Sequence, residues 1–252
     1  VRLHVCEQGQ GDRSLVFLHY WGGSSRTWSE VIQLLADDFR CVAYDQRGWG
    51  ASEAPPSGYG IADLADDAEA LVRARGLTRY TLVGHSMGGK VAQLLASRRP
   101  AGLEALVLVA PAPPVPPPMP QEQRAGMARA YADRQSVAAT LRQVLTARPL
   151  PEHLHERVIE DSLRGAPQAK AAWPEAAILE DISAHLAGIA APTLVLAGEH
   201  DRVEPAALLE REVAGRIRGA QLRVVPGAGH LSPLEAPGEL AAAIRAFLGA
   251  RR

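Results

Sequence analysis

The chain is poor in cysteine, aromatic residues and net charge, and the first and last of these shortages each close off a class of function. Two cysteines in 252 residues leave no disulfide framework and no Cys/His cluster at zinc spacing. Cys6 and Cys41 each fall in a strand-like run and read as buried free thiols rather than a disulfide. The 27 Lys and Arg against 28 Asp and Glu give a formal charge of -1, so nothing draws the chain to nucleic acid or an anionic membrane. Arginines are dispersed among acids, as in Asp161-Ser162-Leu163-Arg164, the pattern of solvated helix faces. Apolar runs are strand-length, too short for a membrane-spanning helix. Val1-Arg2-Leu3-His4 has no leader pattern and no initiating Met, so the expectation is a trimmed chain in the cytoplasm.

What remains is ordinary for a globular protein, with 47% hydrophobic and 22% charged residues. Strand-like runs cover Leu3 to Glu7, Leu15 to His19, Cys41 to Tyr44, Thr81 to Val83, Ala105 to Val109, Thr193 to Ala197 and Leu222 to Val225. Helical patterns alternate with them over Arg26 to Ala36, Ile61 to Arg75, Gly89 to Ser97, Ala206 to Ala214 and Pro237 to Gly249. This rhythm predicts an α/β fold, a mostly parallel sheet with helices on both faces. The short link Gln8 to Asp12 predicts an antiparallel hairpin between the first two strands.

Between Ala110 and about Ala190 the rhythm breaks. Seven prolines between Pro111 and Pro120 exclude helix and central strand and read as a stiff connector. Helical patterns follow over Gln121 to Asp133, Ser136 to Ala147, Pro151 to Arg164 and Pro167 to Ala177, with no strand signal. The expected organisation is a core of residues 1–111 and 191–252 with a helical cap of residues 112–190.

The chemistry centres on Gly84-His85-Ser86-Met87-Gly88, set between the apolar run Tyr80 to Val83 and a helical pattern. A G-x-S-x-G at such a junction is a nucleophile elbow, a turn tight enough to thrust the serine out of the backbone. A serine hydroxyl needs a base to take its proton and an acid to orient that base. In an elbow-type sheet these follow in the order acid, then histidine. Gly198-Glu199-His200-Asp201 and Pro226-Gly227-Ala228-Gly229-His230 both lie just past strand ends, where open α/β sheets assemble their sites.

With these motifs the chain resembles the α/β-hydrolase family over nearly its whole length, in the serine branch with a helical cap inserted after the sixth strand. The resemblance implies Ser86 as nucleophile, Asp201 as acid in preference to Glu199, and His230 as base in a G-x-G-H-x-x-x-x-E segment that Glu235 completes. Glu235 itself reads as a capping or surface acid of the last helix. The backbone N–H groups of Met87 and Trp21 would form the oxyanion hole, Trp21 lying in His19-Tyr20-Trp21-Gly22-Gly23, where glycine is usual at Tyr20. His19 reads as a brace of that loop, and His85 and His200 as local packing. Asp45-Gln46-Arg47-Gly48-Trp49-Gly50-Ala51-Ser52 resembles another family segment and reads as structural; no dinucleotide fingerprint is satisfied. Tyr20 and Trp173 are candidate pocket residues.

The reading that follows is hydrolysis of a small ester, thioester or lactone, with no cofactor, no metal, no nucleic acid and no membrane, a small molecule as substrate and the oligomeric state left open. Carbon–carbon bond hydrolysis and cofactor-free perhydrolysis use the same triad. A hydrolase-fold receptor is the alternative of a different class, distinguished by slow turnover on every ester and strong stabilisation by one small molecule.

Overall fold

A computed structural model describes residues 1–116 and 118–249; Pro117 of the connector and residues 250–252 lie outside it. Its centre is a seven-stranded sheet of β1 (Val5–Gln8), β2 (Ser14–Leu18), β3 (Arg40–Tyr44), β4 (Tyr80–His85), β5 (Leu103–Val109), β6 (Thr193–Gly198) and β7 (Gln221–Val225). The order across the sheet is β1-β3-β2-β4-β5-β6-β7. All neighbouring pairs are parallel except β1 with β3.

The expected hairpin does not form. β1 pairs antiparallel with β3, Val5 opposite Tyr44 and Gln8 opposite Cys41. Burial explains the difference: all five residues of β2 are buried, so it needs a strand on each side, whereas β1 is largely exposed and suits an edge. The same exposure corrects the reading of Cys6, which is a free and exposed thiol, while Cys41 is free and buried.

Alternation along the strands divides the apolar residues between two faces. Leu15, Phe17, Val107 and Leu196 pack against α1 (Ser29–Leu35) and α10 (Pro237–Gly249). Val16, Leu18, Leu82 and Leu108 pack against α2 (Ile61–Ala74) and α3 (Met87–Ser97), with α8 (Ala206–Glu212) on the same face. The chain between α8 and α10 includes the short α9 (Ser232–Glu235).

The helical segment leaves the sheet after β5, the fifth strand of this sheet rather than the sixth. It holds α4 (Gln121–Arg129), α5 (Arg134–Thr140), α6 (Glu152–Arg164) and α7 (Pro167–Glu175). α5 loosens into a π-helical turn over Leu141–Leu145. α6 docks on the loop after β2: buried Asp161 accepts from Ser24 Oγ at 2.8 Å and from Arg26 Nε at 3.0 Å, and Ser162 Oγ donates to the Gly22 carbonyl at 2.9 Å. Among the described residues no helix is long and apolar enough to cross a membrane.

Candidate active site

β4 is buried throughout and ends at a turn whose serine cannot relax. Ser86 has φ 53° and ψ -116°, a left-handed backbone that a side chain adopts only when its surroundings impose it. The flanking glycines explain how the turn is reached. A Cβ on Gly84 would sit 2.5 Å from the Gly88 carbonyl oxygen, and one on Gly88 2.6 Å from the carbonyl oxygens of both Leu18 and His19. The elbow therefore lies against the end of β2. Met87 is the first residue of α3, so its N–H has no acceptor within the helix.

The loop after β2 is braced as its sequence implies. The Gln46 N–H donates to His19 Nε2 at 2.9 Å, which places the ring proton on Nδ1, and Nδ1–H donates to the Tyr20 carbonyl at 2.7 Å. Gln46 Nε2 returns a bond to the His19 carbonyl at 2.7 Å. Gly23 N–H closes the turn on the Tyr20 carbonyl. The helical insertion holds Trp21 at three points. Tyr131 Oη donates to its carbonyl at 2.8 Å, the two rings pack tilted with centroids 4.3 Å apart, and its indole N–H donates to the Lys170 carbonyl.

Asp201 and His230 meet from the ends of β6 and β7. His230 Nδ1–H donates to Asp201 Oδ2 at 2.9 Å with both side chains buried. Burial pushes the Asp201 carboxyl up. The His230 charge and hydrogen bond, with the N–H groups of Glu204 and Val203 on Oδ1, outweigh it and hold Asp201 below the usual carboxylate range. Glu199 is exposed and accepts from the Gly227 N–H at 2.7 Å, so it staples the loop after β7 instead of meeting the imidazole. His200 is likewise exposed.

Three supports of His230 have only weak signals in the sequence. His85 Nε2–H donates to the His230 carbonyl at 2.8 Å, and the two rings lie 5.2 Å apart. Burial, with the His230 charge, pushes His85 down to about 3, so its ring stays neutral. Glu235 is buried rather than a surface acid. It accepts from the Gly229 N–H at 2.9 Å and the Ala147 N–H at 2.7 Å, joining the histidine loop to the insertion. Leu231 N–H adds a bond to the Leu145 carbonyl.

The segment after β3 is a scaffold. Asp45 accepts from the Ser25 N–H at 2.7 Å and the Ala51 N–H at 2.8 Å, while Arg47 clasps both carboxylate oxygens of Asp67.

Ser86 and His230 face one cavity of about 440 Å³, roofed by the helical insertion. Tyr20, Trp21 and Trp173 also line it, Trp173 from α7 being buried and thus both wall and anchor. Met119, Met127, Val144 and Leu208 make much of the wall apolar. Lys90 and Glu204 line it too, although neither stands out in the sequence as a site residue. Among the described residues, Glu152, His155 and Glu156 on α6 come close enough to share an ion, but they do not line the cavity and Arg134 already pairs with Glu156.

Comparison with known proteins agrees with this fold. The sequence profile of the alpha/beta hydrolase family matches residues 15–243. A Variovorax paradoxus protein with the provisional name carbamate hydrolase RutD is 33% identical, the match covering 90% of this chain and 89% of that protein. The 3-oxoadipate enol-lactonase 2 of Acinetobacter baylyi is 29% identical over 98% of this chain and 93% of its own. Among solved structures, the esterase EaEST of Exiguobacterium antarcticum superposes with a TM-score of 0.90 at 25% identity, covering 98% of this chain and 95% of that one.

Proposed function

Given that the chain belongs to the alpha/beta hydrolase family and is a hydrolase, we propose that it cleaves a small carboxylic ester, thioester or lactone through an acyl-enzyme on Ser86. The observation that carries this reading is the convergence of strained Ser86 and of His230, tied to Asp201 at 2.9 Å, on a single cavity. With Nδ1–H committed to Asp201, Nε2 is the ring's free lone pair and takes the Ser86 proton as Oγ attacks the carbonyl carbon. The N–H groups of Met87 and Trp21 hold the oxyanion, contributing on the order of a few kcal/mol to the transition state. His230 then protonates the leaving oxygen or sulfur. It next activates a water that attacks the acyl carbon, and the collapsing intermediate releases the acid and returns the proton to Ser86. Residues 112–190 act as a cap that keeps bulk water from the acyl-enzyme. The esterase and enol-lactonase relatives support an oxygen ester or lactone as the substrate class.

A fluorophosphonate tests the mechanism directly. It should label Ser86 alone, and Ser86→Ala should lower p-nitrophenyl ester turnover by several orders of magnitude. Labelling of another residue, or retained turnover in the variant, overturns the mechanism.

A further inference from the structure

A buried lysine and a buried glutamate that line the cavity have no part in the proposed acyl transfer. Lys90 lies one helical turn past Ser86 on α3, lines the cavity and is only 1% exposed. Its ammonium carries three N–H donors, of which one reaches the Ile178 carbonyl at 3.2 Å. Glu204 lines the same cavity at 9% exposure. Its backbone N–H serves Asp201 at 2.9 Å, but no described residue hydrogen-bonds its carboxyl. Burying such groups without partners costs free energy that an apolar wall would not.

The surrounding charges settle which ligand they complement. Burial pushes Lys90 down to about 8, against the pull of Glu180, Asp181 and Glu204, so at neutral pH it remains largely cationic. Burial and the nearby Asp201 push the Glu204 carboxyl well up, with Lys90 opposing. The other acids are engaged elsewhere. Glu180 accepts from the Ile61 N–H at 3.1 Å, Asp181 from the Ser183 N–H at 2.8 Å, and Asp201 is taken by His230. Burial thus favours the protonated form of the Glu204 carboxyl, and in that form it is a second donor in the wall that holds the Lys90 ammonium. Arg202 lines the cavity as a second cation. A carboxylate accepts from two donors at once and supplies the missing charge.

We propose that Lys90 is a specificity-determining residue which, with Glu204, binds a free carboxylate on the substrate's acyl part. The preferred substrates are then half-esters or lactones of dicarboxylic acids. This rests on the acyl-transfer reading above and narrows it.

The test compares mono-p-nitrophenyl glutarate with p-nitrophenyl pentanoate, which match in chain length and differ in the terminal carboxylate. Wild-type kcat/KM should favour the glutarate ester. Lys90→Met and Lys90→Gln should each lower that preference by roughly 10- to 100-fold, the effect of losing one hydrogen bond to a charged group. Glutarate should also raise the Tm of the wild type and of Ser86→Ala, while a diamine of the same length should not; this readout stands even if the Lys90 variants fail to fold. Equal wild-type kcat/KM on the two esters, a preference untouched by the Lys90 variants, or protection by the diamine instead of glutarate overturns the assignment. If neither ester is cleaved and Ser86 resists the fluorophosphonate, the acyl-transfer reading fails. Glutarate protection of Ser86→Ala then still decides the carboxylate site.

Discussion

His230 takes its orientation from two sides, and the two are chemically distinct. Asp201 holds Nδ1–H through a buried carboxylate, whereas His85 holds the backbone carbonyl behind the ring. His85 is itself a poor base because burial keeps it near 3. Glu199, two residues from Asp201, faces solvent and bonds Gly227. Asp201→Asn is therefore expected to reduce kcat by roughly ten-thousandfold, because the amide cannot stabilise the imidazolium or fix its tautomer. Glu199→Gln is expected to stay within about twofold, as surface changes usually do. Steady-state kinetics of the two variants on one p-nitrophenyl ester separate the roles. Equal losses would assign the acid wrongly.

At the scale of elements, the helical insertion is bonded to the parts of the sheet edge that carry the candidate site. α6 reaches the loop after β2 through Asp161 and Ser162, Tyr131 follows α4 and reaches Trp21, and the π-helical turn reaches the histidine loop through Leu145. Asp161 is the strongest of these ties, since it is buried and shared by Ser24 and Arg26. Replacing it by asparagine removes the charge while keeping the shape. The Asp161→Asn variant should lose about 1–3 kcal/mol in urea unfolding. It should also lower kcat, because the Tyr20–Ser24 loop loses its outer support. An unchanged unfolding midpoint would show that the insertion is held by apolar packing instead.

For the whole molecule, two buried carboxyls three residues apart make stability respond to pH in opposite senses. Asp201 is held below its ordinary value, so its stabilisation is present above about pH 3.9 and is lost as pH falls through the folded-state value. Glu204 is held above its ordinary value, so its stabilisation is full below about pH 4.3 and is lost as pH rises through the folded-state value. Glu204→Gln should therefore become progressively more stable than the wild type as pH rises, while the penalty of Asp201→Asn should shrink towards acid. Urea midpoints measured across acid to alkaline buffers give the comparison. Parallel curves for wild type and Glu204→Gln would show that the Glu204 carboxyl is not held above its unfolded value.

Much of this was legible from residue order alone. Ser86, Asp201 and His230 each lie within three residues of a glycine just past an apolar run, a local pattern that places each at the sheet's carboxyl edge. The alternation of strand and helix likewise follows from local hydrophobic period. The hairpin expected for Gln8 to Asp12 failed because pairing depends on which strand must be buried on both sides, and β2 required β3 and β4 as neighbours. The buried roles of His85 and Glu235, and the presence of Lys90 and Glu204 in the cavity, come from contacts across tens of residues. No short window contains such contacts. Local sequence determined where the candidate site residues fall along the chain, and the packing of the insertion over the sheet decided what surrounds them, because burial and charge are set by neighbours distant in sequence.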